Sequence, residues 1–449
     1  MKEAIRVANV QAFWGDYSQA AADMLHLAPE VDYLTMDYLA EVSMSILAKQ
    51  MRKHEGLGYA RDFIKVIESA APYWRDGSKV KIISNAGGLT PKACAERCAE
   101  VLREAGCRGK RIGIVSGDGV LDQMQTNAAN TDFNNLDSTQ SLQESGVELL
   151  TANAYVGAKQ IVEALDAEAD LIITGRVADP SMVVAPCLFE HGWAWGDYDR
   201  LAGATVAGHL IECGTQVTGG ISTHWMELEE VANIGYPIVE IDASGGCVVT
   251  KPAGTGGRVD QRSVKEQLLY ELGDPGHYLS PDVEVSFLLL ELADLGQDRV
   301  GVSGARGSAP PSTLKVSGTY QAGYHTSGSL TIYGPDAALK AQRAGEVVMA
   351  RLAEKGMSPE ESRIECIGAG AIAPLPHSVS EVVLRVSLGD SRREVLQQFA
   401  TDWVSLVCCG PPGTTGYAGG RPRVHETIAY WPCLISQQNV TPSMEILEV

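Results

Sequence analysis

Leu171-Ile172-Ile173-Thr174-Gly175-Arg176-Val177-Ala178-Asp179-Pro180 is an apolar run that stops on a glycine, an arginine and an aspartate. Behind it lie Trp193-Ala194-Trp195-Gly196-Asp197 and a helix-like stretch over 201–212. The stretch leaves through Cys213-Gly214-Thr215-Gln216-Val217-Thr218-Gly219-Gly220, with His224 beyond it. In an open α/β sheet, ligands bind outside the carboxyl ends of the strands. A buried strand ending in Arg and Asp is therefore read as one wall of a site.

Working outward from it, the same alternation recurs. Residues 5–10, 31–37, 80–84, 111–116 and 148–152 are short apolar runs, each followed by glycine or polar residues and then by helical spacing. Thr90-Pro91 supplies a helix start, an N-cap residue followed by proline at the first helical position. At least six such strands before residue 180 imply parallel βαβ units in a Rossmann-like, largely parallel sheet buried on both faces. Residues 235–309 are less regular, and 304–311 read as a hinge. Thereafter the order becomes strand, helix, two strands, helix, strand, which is the split-βαβ layout of a smaller α+β unit. The expectation is an α/β core domain over 1–309 with a strand-end crevice, and an α+β domain over 310–449.

If the strands are parallel, Asp16, Asp37, Asn85, Gly87, Gly88, Gly117, Asp118, Gly119, Asn153, Arg176 and Asp179 all fall along one edge. Glycines let a ligand approach the backbone, and helix N-termini behind them favour anionic groups. A glycine after a strand also makes an ordinary tight turn, and that plainer reading holds for any single position. Arg176 is the candidate anion holder, because its guanidinium grips a carboxylate or phosphate as a fork. Asp118 and Asp179 are candidate acid–base groups, against the plainer roles of capping a loop and pairing with the arginine. His224 is placed for proton transfer. Thr218, Gly219 and Gly220 complete the expected substrate-binding set.

No G-x-G-x-x-G follows the first strand, and G-x-x-x-x-G-K-[ST] is absent, so no nucleotide cofactor is identified. His209 and Cys213 share a helix face at i, i+4, but no third and fourth metal ligand is evident, and a core histidine is the plainer reading. Cys408-Cys409 end a helix, where the dipole disfavours a reactive thiolate.

With 36 Lys and Arg against 56 Asp and Glu, the net charge of −20 disfavours nucleic acid and anionic membrane surfaces as partners. An anionic substrate would need a local pocket of arginine and backbone N–H groups. No signal-like segment opens the chain, no apolar run approaches the ~20 residues of a membrane span, and the ten cysteines form no regular framework. A cytoplasmic protein with reduced thiols is expected, and base rates favour a homo-oligomer.

Asn85-Ala86-Gly87-Gly88, Ser116-Gly117-Asp118-Gly119, Gly175 to Pro180, Gly208-His209-Leu210-Ile211-Glu212-Cys213-Gly214, Gln216 to Gly220, Gly419-Gly420-Arg421-Pro422-Arg423 and Tyr430-Trp431-Pro432 resemble the AtuA-like family of acyclic terpene utilisation. The resemblance spans essentially the whole chain. It implies catabolism of branched terpenoid acids through acyl-CoA thioesters, with CoA entering as part of the substrate. Longer members carry a further ferredoxin-like domain, which implies that any role of that domain here either falls to a separate small subunit of that fold as a partner or is absent. The expectation is an enzyme on a carboxylate or acyl-CoA substrate, a hydratase or dehydratase of the lyase class. The alternatives are a nucleotide-dependent enzyme using the same crevice and a non-catalytic subunit of a two-component enzyme.

Overall fold

The computed structural model describes residues 3–54, 56–371 and 379–449. The chain forms two compact units, Met1–Thr319 with Tyr430–Val449, and Tyr320–Ala429. Residues 430–449 thus belong to the first unit.

Unit 1 is built on a ten-stranded sheet. Its strands include β1 (Ala4–Asn9), β2 (Tyr33–Met36), β3 (Lys81–Ser84), β4 (Arg111–Ser116), β5 (Leu149–Ala154), β6 (Leu171–Thr174), β7 (Ile238–Asp242) and β8 (Cys247–Thr250), of which β5 stands outside the sheet. The parallel part runs in the order β1-β2-β3-β6-β4. β7 joins β1 antiparallel and carries β8 and two further antiparallel strands outward. At the other edge Ser443–Glu448 pairs antiparallel with β4. The sheet is therefore mixed, and its parallel part is five strands where at least six were expected. The missing one is β5, which pairs with the long strand Thr313–Tyr333 instead.

The parallel strands sit where their composition sends them. Every residue of β2 and β6 is buried, as continuous apolar runs require in a sheet covered on both faces. Helix Phe63–Arg75 buries Phe63, Ile64, Val66, Ile67, Ala70, Ala71 and Trp74, a stripe at helical spacing. Helix Pro91–Glu104 starts on the expected proline. Helix Tyr198–Glu212 is buried from Leu201 to Ile211 and is a central element. At Gly208 a Cβ would stand 2.7 Å from the Pro180 Cα, so only glycine lets this helix lie against the start of helix Ser181–His191. That close approach brings the end of one helix, with His209 and Glu212, beside the strand-end loop that carries Arg176 and Asp179.

Unit 2 follows the expected order. The long strand's later part leads into helix Ala337–Glu354, strands Glu361–Ile367 and Glu381–Asp390, and helix Arg393–Val404. The strands pair antiparallel, with Glu381–Asp390 in the middle. Ala337, Ala341, Ala344, Val348 and Leu352 pack with Leu330, Ile332, Leu384, Val386, Phe399 and Trp403 to form its core. Among the described residues of the chain, no helix is long and apolar enough to cross a membrane.

Candidate active site

The ends of β4, β5 and β6 are locked together by one carboxylate. Asp118 Oδ2 accepts the Asn153 side-chain amide at 2.7 Å and the Arg176 backbone N–H at 3.0 Å. A Cβ at Gly175 would stand 2.3 Å from Asp118 Oδ1, so glycine is required for the carboxylate to seat there. Both partners stabilise the ionised form while burial pushes the group up, and the net direction is up. Asp118 and Asn153 thus support Arg176 from behind.

Arg176 is almost wholly enclosed, with 2% of its surface exposed. Its guanidinium donates to the Leu39 carbonyl and stacks on the Tyr155 ring at 4.1 Å. Burial works against its charge, but Tyr155, Asp179 and Asp37 beside it keep the guanidinium protonated. Arg176 Nε has no hydrogen-bond partner among the described residues.

Asp37, just past β2, is held by the Asn85 side chain at 2.6 Å and the Leu39 N–H at 3.0 Å, while Asn85 Oδ1 accepts the Tyr38 N–H at 2.7 Å. Burial raises Asp37 to about 6 although Arg176 pulls it down. Asp179 is pushed well above the usual carboxylate range by burial and by the neighbouring Asp37, and its Oδ1 lacks a partner among the described residues. Glu212 ends its helix, where the dipole disfavours a negative charge. Burial raises it to about 7, against the pull of His209, whose Nδ1 lies 2.9 Å from Glu212 Oε1. Glu212 Oε2 is likewise without a partner among the described residues.

Arg176, Asp179, Asp37 and Glu212 line one cavity of about 410 Å³, together with Asp16, Glu41 and Glu271. Six carboxylates thus surround a single arginine. Among the described residues no three His, Cys, Asp or Glu side chains are grouped to hold a metal ion. Phe13, Ile221 and Tyr270 add apolar surface to the lining and are exposed. Ile221 adopts a φ of +48°, the left-handed region that a β-branched residue enters only under strain.

Of the residues read from sequence along the strand ends and the glycine loop, Asp16, Asp37, Arg176, Asp179 and Gly220 line the cavity. Asp16 accepts the Ala12 and Tyr17 N–H groups and the Tyr236 hydroxyl. Asn85, Asp118 and Asn153 stand behind the wall as supports. Thr218 is buried and bonds the carbonyls of Thr215 and Gly235, shaping the loop that carries Gly219 and Gly220. Gly87 packs on the Thr174 carbonyl, Gly88 on Leu47, and Gly117 on the Thr441 carbonyl. Gly119 bridges to Asn153. His224 is 37% exposed, faces Glu227 at 3.0 Å, and is not among the residues lining the cavity. Glu41, Glu212 and Glu271 were not nominated from sequence. Only Glu212 carried a signal, its place one turn after His209 on the helix leading into the glycine loop.

The family model "Acyclic terpene utilisation family protein AtuA" matches residues 5–446, and the chain belongs to that family. No curated protein and no solved structure matches it.

Proposed function

We propose that this member of the acyclic terpene utilisation family is an enzyme that adds water to, or removes it from, a branched carboxylic acid or its CoA thioester in the unit 1 cavity. One observation carries the reading. Three residues lining a single cavity, Arg176, Asp179 and Glu212, each keep a buried polar atom without a partner among the described residues. Buried polar groups are normally satisfied, so the set is matched to a polar ligand. Arg176 Nε is free to donate to a carboxylate or thioester carbonyl oxygen. Such a donor, held in place by Asp118 and Tyr155, stabilises the negative charge that develops there when the neighbouring carbon loses a proton.

The carboxyls then divide the proton transfers. Asp37, the lowest of the perturbed group on the wall, is ionised at neutral pH and takes the proton next to the carbonyl. Asp179 or Glu212, held protonated by burial, gives its proton to the departing hydroxyl, and the two substitutions separate them. The carbon–oxygen bond breaks, the carbon–carbon double bond forms, and water leaves; hydration is the reverse. Phe13, Ile221 and Tyr270 offer apolar surface to the hydrocarbon part of the substrate. Six carboxylates in the lining disfavour a polyphosphate in this cavity, so a CoA thioester would present only its acyl end.

The test is incubation with branched 2-enoyl and 3-hydroxyacyl substrates, as free acids and as CoA thioesters, in ¹⁸O-labelled water. Label in the 3-hydroxy product, lost with Arg176→Gln, supports the reading. No incorporation and no elimination from any of them overturns it.

A further inference from the structure

Unit 2 holds a cavity of opposite character. It measures about 400 Å³ and is lined by Arg421, Arg423, His425, Ser327, Ser329 and Tyr417, with Gly416, Gly419 and Gly420 between them. Among the described residues, no carboxylate belongs to its lining. We propose that this cavity binds the phosphate group of a small organic phosphate.

The argument starts from charge. The chain has 56 acidic and 36 basic side chains, so a cavity lined by arginines and no carboxylate stands against the overall charge. Elsewhere in unit 2, Arg385 and Arg363 pair with Glu365 and Arg392 pairs with Asp390. Arg421 and Arg423 stand two residues apart and have no ion pair among the described residues. Gathering two unneutralised guanidinium groups costs electrostatic energy that a dianion offsets.

The chemistry of the lining fits such an anion. Guanidinium forks match phosphate oxygens in geometry as well as charge. The Ser327 and Ser329 hydroxyls and the backbone of the glycine loop add neutral donors. The loop is anchored, since Thr326 Oγ1 donates to the Arg423 carbonyl at 2.9 Å. His425 stacks on His325 with ring centres 5.5 Å apart, which fixes its imidazole at the edge of the cavity. The volume lies within the ~300–1,000 Å³ of small-molecule sites and exceeds what a lone phosphate fills. The remainder, with Tyr417 and Trp403 in its lining, suits the organic part of the molecule. Nucleotides and CoA share this chemistry, and the experiment tells them apart. The proposal is independent of the reaction in unit 1.

Calorimetric titration of the full chain with CoA, ATP, pantetheine lacking phosphate, inorganic phosphate and an acidic peptide tests it. The proposal expects saturable one-to-one binding of CoA or ATP, no binding of pantetheine, and at least tenfold weaker affinity in Arg421→Ala/Arg423→Ala. CoA alone, or both compounds, would identify the source of the phosphate. Arg421→Lys/Arg423→Lys keeps the charge without the forks and should bind with intermediate affinity. His224→Ala, outside both cavities, should bind like the parent, and an unchanged melting temperature of the double variants would show that they fold. No binding of any phosphate compound overturns the proposal, as does binding that the double alanine variant retains. Binding of the acidic peptide alone overturns it in favour of a protein partner.

Discussion

The two cavities solve opposite problems with the same residue types. In unit 1 one buried arginine is surrounded by six carboxylates, and the supports behind it are themselves buried. In unit 2 two exposed arginines stand in a glycine loop, and among the described residues no carboxylate lines their cavity. Burial decides what each can do. Enclosed carboxyls have their proton affinity raised by desolvation, which makes them reagents. Exposed guanidinium groups keep their charge and act at short range as binding groups, subject to screening by salt.

The comparison can be broken first at Arg176. Arg176→Gln removes the only cation lining the acidic cavity among the described residues and leaves the ionised Asp37 uncompensated. A loss of about 3–5 kcal/mol is expected for breaking such a buried set, read by urea denaturation near neutral pH, together with loss of turnover. A stability within error of the parent would show that the arginine's charge is not what balances the cluster.

Glu212→Gln comes next and should separate chemistry from folding. If Glu212 is the acid, turnover falls by about 10²–10⁴-fold, whereas folding changes in a pH-dependent way. In the unfolded chain Glu212 titrates near 4.5, and in the fold near 7. Between those values the folded state holds more protons than the unfolded one, so this group's contribution to stability falls as pH rises and levels off above about 7. Asp37 acts in the same direction up to about 6. Glu212→Gln should flatten the decline, and the variant should match or exceed the parent's stability at pH 8. A steeper decline in the variant would contradict the buried, protonated state.

Asp118→Asn sharpens the distinction between a support and a reagent. An amide oxygen can still accept both hydrogen bonds, but the negative charge that strengthens them is lost and an NH2 group faces Gly175 in place of Oδ1, so a loss of about 1–3 kcal/mol is expected. Turnover should fall only as far as Arg176 is displaced, without a new limb in the pH profile. For the basic cavity, raising the salt concentration should weaken phosphate binding while leaving turnover in unit 1 nearly unchanged, because the enclosed charges are screened far less. The smallest effect is expected at His224: His224→Ala should change stability by under about 0.5 kcal/mol and spare turnover. A large loss of activity would return His224 to the site.

What the sequence showed follows the range of the interactions involved. β1 to β4 and β6 were legible because each is a continuous apolar run closed by glycine or polar residues, a local pattern. β5 has the same pattern yet pairs outside the sheet, with a strand starting more than 150 residues later, which no local signal encodes. Ser443–Glu448 alternates and covers an edge, and its partner β4 is likewise distant in the chain. In the site, Arg176 and Asp179 stood out because they follow a strand directly. Glu212 was overshadowed by His209 and Cys213, whose spacing suggested a core or a metal. Glu271 lies in the irregular middle of the chain, where nothing tied it to the strand ends. The glycines were legible as a set but ambiguous one by one: Gly175 and Gly117 make room for protein atoms, whereas Gly220 lines the cavity.

The central claim is that the unit 1 cavity holds a carboxyl that stays protonated near neutral pH beside a fixed arginine. Infrared difference spectroscopy of the protein titrated from pH 5 to 9 reads this without any substrate. A protonated-carboxyl band that disappears with a midpoint near pH 7, and is missing from Glu212→Gln, is the predicted result. No protonated carboxyl above pH 6, or a band unchanged in Glu212→Gln, would contradict it.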